Sequence, residues 1–293
     1  MIVSKRFAAS LVVLSILTLS ARAADPIKIT SENDITYAKV NDVELKLDMA
    51  RPAEGDGPFP VVFVIHGGGW RGGNKKDTRG ALGEFARRGY VGISPQYRFC
   101  PKDIFPAQVH DVKAAVRWIK THAKEYKVDP EHVGAVGFSA GGHLAMMLGL
   151  TGPMDGLEGE APKDAPDTKI QAVVNYFGPT DLSATDYPEI TQPIIQEFLG
   201  GTPKDKAKEA ARASPITFVS KGDAPVLTFQ GTKDPLVPHS QATKLADALT
   251  SAGVPGRVEL LVGAGHGWGG DDMTRTLNEM FAFFDQYLKP KSK

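Results

Sequence analysis

His132-Val133-Gly134-Ala135-Val136-Gly137-Phe138-Ser139-Ala140-Gly141-Gly142-His143 is a short apolar run that ends on a serine set between glycines, and a helical pattern follows over residues 141–150. A strand that passes into a helix across Gly-x-Ser-x-Gly is the setting of a nucleophile elbow, a turn so sharp that the serine backbone is strained and its neighbours must be small. Gly137, Ala140, Gly141 and Gly142 meet that demand. An ordinary glycine-rich strand-to-helix turn would read the same way, so the stretch needs support from the rest of the chain.

Working outward, short β-branched runs at residues 35–40, 43–49, 60–65, 90–94, 132–138, 170–177, 225–230 and 257–262 alternate with helical periodicity at 75–88, 106–126, 141–150, 240–251 and 271–288. Such alternation builds βαβ units around a parallel sheet. The first two runs are separated only by Asn41-Asp42 and form a hairpin at the sheet edge. Residues 60–65 are almost wholly apolar, as a strand must be when helices cover both faces. The expected fold is therefore α/β, a mostly parallel eight-stranded sheet with helices on both faces. Val109, Val112, Val116 and Ile119 mark the buried face of one helix, which Asp129-Pro130 should stop from continuing. Residues 151–169 and 181–215, rich in Pro, Asp and Gly, break the alternation. They are expected as insertions over the carboxyl ends of the strands, where open α/β sheets place ligands.

The chain of 293 residues is 42% apolar and 23% charged, enough for one sizeable core, and it holds no linker tract or internal repeat. Residues 1–23 read as a secretory signal peptide: Lys5 and Arg6, then an apolar stretch, then Ala21-Arg22-Ala23 as the cleavage site. The stretch is shorter than the ~20 residues that span a bilayer, and no other segment is apolar enough to cross one. Residues 24–293 are then one domain, secreted or periplasmic. Bases and acids number 34 each, and the leader takes three bases and no acid, leaving the remainder slightly acidic. That composition argues against a nucleic-acid partner. Cys100 is the only cysteine and cannot form an intramolecular disulfide. No histidine and acid spacing suits a metal, and no cofactor is implied.

A serine hydroxyl needs a base, and the base needs an acid to fix its tautomer. Three histidines follow Ser139: His143, His239 and His266. His143 rides on the serine's own helix, where it can support the turn but not easily face the hydroxyl. His239 opens a later helix and reads as a surface or capping residue. His266 lies in Gly263-Ala264-Gly265-His266-Gly267-Trp268 after the last strand, in a loop free to present an imidazole. For the acid, Asp234 follows the strand at 225–230 and precedes His266 by one helix and one strand. Asp181 leaves the wrong strand, and Asp271 and Asp272 start the final helix, where negative charge is favoured. The segment His66-Gly67-Gly68-Gly69-Trp70, after the strand at 60–65, can bring backbone amides close to a developing oxyanion. The donors are assigned to Gly68, Gly69 and Ala140, with Gly69 and Trp70 as a shifted register. Trp70 and Trp268 flank these loops and either line a pocket or are simply buried. Asp111 is expected to pair with Arg117 or Arg98, and Cys100 to be an inert thiol.

Together, His66–Trp70, Gly137–Gly142, Asp234 and His266 resemble the α/β-hydrolase superfamily, in its esterase/lipase branch of hormone-sensitive-lipase-like carboxylesterases and bifunctional feruloyl/acetylxylan esterases. Tyr97-Arg98, Phe105-Pro106-Ala107-Gln108 before Asp111, Gly178-Pro179-Thr180-Asp181-Leu182 and Ala213-Ser214-Pro215 also resemble that branch. The resemblance covers most of residues 35–288 and implies the α/β-hydrolase fold, the triad and cleavage of carboxylic esters, among them acetylated or feruloylated plant polysaccharide, while the absence of an obvious lid favours short acyl chains. The chain lacks the long helical cap that precedes the first strand in the hormone-sensitive-lipase pattern. Two alternatives are a serine peptidase of the prolyl-oligopeptidase type and a non-catalytic binding protein on the same fold.

Overall fold

A computed structural model describes residues 28–289. Eight strands form one sheet in the order β1-β2-β4-β3-β5-β6-β7-β8: β1 Ile29–Val40, β2 Val43–Pro52, β3 Phe59–Ile65, β4 Val91–Pro95, β5 Val128–Phe138, β6 Ala172–Tyr176, β7 Val226–Gly231 and β8 Gly256–Leu261. β1 and β2 form the antiparallel hairpin, turned at Asn41 with φ of 52°, and β2 also runs antiparallel to β4. All remaining pairs are parallel.

The helices are α1 Arg79–Arg87, α2 Ala107–Thr121, α3 Ala123–Tyr126, α4 Ala140–Leu150, α5 Gln192–Leu199, α6 Ala207–Arg212, α7 Ser240–Ala252 and α8 Gly270–Leu288. The all-apolar reading of β3 explains how they are layered. Val61, Phe63 and Ile65 point into one core with Val109, Val112 and Val116 of α2 and Leu144 of α4. Val62 and Val64 point the other way, into a core with Phe85 of α1 and Phe281, Phe284 and Leu288 of α8. Each such fully buried side chain is worth about 1.5–3 kcal/mol of transfer free energy. Gly134 lets α8 lie directly on β5, since a Cβ there would sit 2.8 Å from both Phe284 and Leu288. No helix among the described residues is long and apolar enough to cross a membrane. The leader expected at residues 1–23 lies outside the described residues.

Several boundaries differ from the sequence reading for physical reasons. The helix expected at 75–88 opens as a 3-10 turn at Lys75–Thr78, because Asn74 accepts from the Lys76 amide while Asp77 accepts from the Asn74 amide. The helix expected at 106–126 breaks near His122, and Lys127, in the left-handed region at φ 53°, turns the chain before Asp129-Pro130, which belongs to β5. Two short helices, α5 and α6, form within residues 181–215, where none was expected. The segment 151–169 does not lie over the strand ends. Glu158 pairs with Lys113 and Arg117, and Asp167 pairs with Lys120, so the segment is held along one flank of α2 by charges spaced three and four residues apart.

Candidate active site

The carboxyl ends of the central strands lie level, with Ile65 beside Gly137, Gly137 beside Asn175, and Gly231 beside Leu261. The loops that leave them therefore converge. Ser139 directly follows β5, with φ 54° and ψ −121°, a conformation that an L residue adopts only when its surroundings impose it. They do so because no room exists for a side chain two residues to either side of it. A Cβ on Gly137 would lie 2.0 Å from the Gly141 carbonyl oxygen, and one on Gly141 would lie 2.1 Å from that of Ile65.

Ser139 Oγ is 2.9 Å from His266 Nε2, and His266 Nδ1 is 2.8 Å from Asp234 Oδ2. The carboxylate can only accept, so Nδ1 carries the proton and Nε2 is left as an acceptor for the serine hydroxyl. The Asp234 side chain is fully buried, and that of His266 retains 17% exposure. Burial by itself would raise the Asp234 pKa, but the hydrogen bond from His266 and the amides of Val237 and Leu236 outweigh it and hold the carboxyl below the usual carboxylate value. Those amides reach Oδ1 at 2.9 and 2.8 Å, and Gln230 Nε2 reaches Oδ2 at 3.0 Å. The acid and histidine loops are stitched together as well: Lys233 N donates to Ala264 O at 2.9 Å and Gly263 N to Thr232 Oγ1 at 2.9 Å. A hydroxyl, an imidazole acceptor and a fixed carboxylate in this order can generate a nucleophile without a metal.

The loop after β3 closes the other side. Gly68 and Gly69 have φ of 117° and 61°, and a Cβ on Gly68 would lie 2.2 Å from Gly72 O. Among the described residues no hydrogen bond uses the amides of Gly68, Gly69 or Ala140, and all three residues line the same cleft as Ser139. His66 holds this loop and does not touch the serine: it hydrogen-bonds the Gly67 carbonyl at 2.8 Å and stacks on Tyr97. His143 ties the loop to the elbow. The Trp70 indole can only donate, so at 3.2 Å it fixes His143 Nδ1 as an acceptor, and Nε2–H donates to Ala213 O at 2.7 Å. Burial holds His143 well below the ordinary imidazole value, at about 4, against the opposing Ala213 carbonyl.

The cleft, about 430 Å³, is lined by residues 67–71, 138–140, Phe177, Pro179, Thr191, Ile194, Leu236, Val237 and His266. Trp70 is among them, though its indole is buried and stacked on Phe198. Trp268 is not. Its ring packs against Tyr176 and Phe177 and its Nε1–H donates to Thr276, so of the two readings left open for it, lining a pocket or packing, its contacts are those of packing. Sequence reasoning missed Phe177, which turns at φ 45° to set its ring 4.7 Å from the His266 ring, and Ile194 of α5, which packs on Gly69. Of the rival acids, Asp181 caps Ser183, Asp272 pairs with Arg275, and Asp271 lies in the first turn of α8. His239 is exposed at the start of α7. Asp111 takes Arg98 as its partner, through Nε at 2.9 Å and Nη2 at 2.7 Å, and Arg117 goes to Glu158. Burial pushes the Cys100 thiol up to about 11, which leaves it inert.

Comparison with known proteins agrees with this geometry. The chain is 32% identical over 225 residues to the probable carboxylic ester hydrolase LipM of Mycobacterium tuberculosis, covering 74% of this chain and 51% of LipM. The esterase LipC of the same organism is 32% identical, with 55% of its length covered, so the chain spans about half the length of the curated relatives it matches. Among solved structures, a truncated carbohydrate esterase from gut microbiota superposes with a TM-score of 0.76 at 26% identity, covering 90% of this chain and 99% of that one. The Est2 esterase of Thermogutta terrifontis superposes with 0.73 at 28% identity, covering 92% and 96%, and has also been solved with propionate bound, with butyrate bound and phosphorylated by paraoxon. The BD-FAE family model matches residues 47–249, a span that takes in the loop after β3, Ser139 and Asp234. The chain therefore belongs to the BD-FAE family, in the esterase branch of the α/β-hydrolase fold.

Proposed function

We propose that the protein hydrolyses carboxylic esters through an acyl-enzyme on Ser139. The observation that carries this reading is the unbroken line Asp234–His266–Ser139, at 2.8 and 2.9 Å, with the serine held in its strained turn at the floor of an apolar cleft. His266 Nε2 takes the Ser139 proton as Oγ attacks the ester carbonyl, and Asp234 stabilises the imidazolium that results. The carbonyl oxygen becomes an oxyanion facing the free amides of Gly68, Gly69 and Ala140, each worth about 3–4 kcal/mol to the transition state. His266 returns the proton to the leaving alcohol. Water, deprotonated by the same imidazole, then attacks the acyl carbonyl and releases the acid and Ser139.

The cleft supports short acyl groups, because it is only about 430 Å³ and Ile194 and Thr191 of the α5 region, with Leu236-Val237, stand in its walls. The likeness to a carbohydrate esterase, together with the leader-like residues 1–23, supports an exported enzyme whose substrates include acetyl or feruloyl esters of plant polysaccharide. The test is a series of nitrophenyl esters from acetate to decanoate, run beside acetylated xylan, methyl ferulate and peptide nitroanilides. Hydrolysis should favour the short esters and fall by about 10⁵–10⁶-fold in Ser139→Ala. Paraoxon should add a single diethylphosphoryl group at Ser139. A Ser139→Ala variant with full activity, or preferred cleavage of the anilides, overturns the reading.

A further inference from the structure

Apart from His266, the cleft contains one ionisable side chain, Arg71, which directly follows the Gly68–Trp70 loop. Its stem lies beside Gly69, with Cγ and Nε 3.8 and 3.9 Å from where a Gly69 Cβ would be. The guanidinium is only partly committed. Nη1 makes two long contacts with Glu197 of α5, at 3.3 and 3.4 Å, and both side chains remain well exposed, 45% and 38%. Among the described residues, Nε and Nη2 have no hydrogen-bond partner. That edge of a guanidinium is a planar two-pronged donor that fits a carboxylate, and Arg98 uses the same edge on Asp111 within this chain, at 2.9 and 2.7 Å.

We propose that Arg71 is a specificity residue that binds a carboxylate carried by the substrate, so that the favoured esters are acidic ones. The proposal rests on the ester-hydrolase reading above. Glu197 engages only Nη1 and leaves the Nε/Nη2 edge free for a ligand. Ile194 lies beside the same Gly69, so the half-exposed arginine sits at an apolar edge of the cleft, and the pair it forms with a carboxylate draws on the two-pronged geometry as well as on charge. The carboxylate can come from either side of the scissile bond: from the acyl group, as in a half-ester of a dicarboxylic acid, or from the alcohol, as in an acylated sugar acid.

Two pairs of stable alkyl esters separate these sources: monoethyl succinate against its neutral isostere ethyl 4-methylpentanoate, and 4-acetoxybutanoate against 4-methylpentyl acetate. Each is followed by pH-stat titration at pH 7.5 with the full chain, Arg71→Gln and Arg71→Lys. In at least one pair, the ratio of kcat/KM for the acid over its isostere should fall about tenfold in Arg71→Gln and be only partly restored in Arg71→Lys, which keeps the charge and loses the fork. The neutral ester should stay within about twofold, with the change in KM rather than kcat. The pair that responds identifies the side bearing the carboxylate. An unchanged ratio in both pairs, or an equal loss on acid and isostere, overturns the Arg71 assignment alone. No hydrolysis of any of the four overturns the ester-hydrolase reading and this one together.

Discussion

Replacing Asp234 by asparagine changes one atom, and the hydrogen bonds around that side chain dictate the outcome. Oδ1 accepts the amides of Leu236 and Val237 at 2.8 and 2.9 Å, so the amide oxygen of the new side chain must stay there. Its NH2 group is then forced to the Oδ2 position, 2.8 Å from His266 Nδ1. Two N–H donors cannot face one another, so the imidazole moves its proton to Nε2 and presents N–H to Ser139 Oγ. The serine keeps its place and loses its base. Gln230 Nε2, which also donates to Oδ2, loses that bond but keeps the one to Val237 O at 2.9 Å, so it has no need to move. The fold should therefore survive. The expected loss in kcat is about 10⁴-fold, or about 5 kcal/mol of transition-state stabilisation. Steady-state rates on nitrophenyl acetate give the loss, a thermal melt checks the fold, and imidazole ¹⁵N shifts report the tautomer. A folded Asp234→Asn variant within tenfold of the parent would refute the tautomer argument and with it the role of Asp234.

The same geometry sets three other expectations. His143 is buried with a pKa of about 4 against 6.5 for a free imidazole, so between those values the unfolded chain binds a proton that the folded chain does not. Its contribution is whole above about pH 6.5 and falls by roughly 3 kcal/mol as the pH drops to 4, and urea midpoints from pH 7 to 4.5 should slope less in His143→Gln than in the parent. Gly137→Ala places a Cβ 2.0 Å from Gly141 O and should abolish labelling of Ser139 by a fluorophosphonate, whereas Gly265→Ala, where a Cβ meets nothing within 4 Å, should leave labelling unchanged. Phe284→Ala empties a fully buried site between α8 and β5, far from the strand ends, and should cost about 3–5 kcal/mol in denaturant melts while kcat of the folded fraction stays within twofold.

The parts of this site that were legible in the sequence are those whose chemistry is written into adjacent residues. An elbow needs small residues at fixed offsets from its serine, so Gly137 and Gly141 announce it. Chain order then leaves one histidine and one aspartate at the right strand ends. The role of Trp268 stayed open and the segment 151–169 was misplaced because nothing local distinguishes a tryptophan that lines a cleft from one that packs behind a loop, or a Pro/Asp-rich insertion above a sheet from one pinned to a helix flank. Thr276 and Lys113, which decide these cases, lie 8 and 45 residues away from Trp268 and Glu158. Ile194 was missed for a similar reason: α5 has only eight residues, and one surface it covers, Gly69, is more than a hundred residues earlier.

What the sequence could not display is how the strain is distributed. Six described residues other than glycine have positive φ, and three of them, Trp70, Ser139 and Phe177, sit in the loops leaving β3, β5 and β6 around one cleft. Each such conformation costs of the order of 1–3 kcal/mol and persists only where neighbours over-determine it. Here the neighbours are mutual. The Trp70 indole is locked by His143 on the helix that Ser139 starts, Ser139 N donates to Tyr176 O, and Phe177 N donates to Phe229 O while its ring braces His266. Releasing any one of the three loosens the support of the others. Their substitutions should therefore be strongly non-additive: Trp70→Phe and Phe177→Leu combined should lower Ser139 labelling by less than the product of the two single effects, because the second change meets a site already relaxed. Simple multiplication of the two effects would mean that the loops are held independently by the sheet and that the coupling through His143 and His266 is absent.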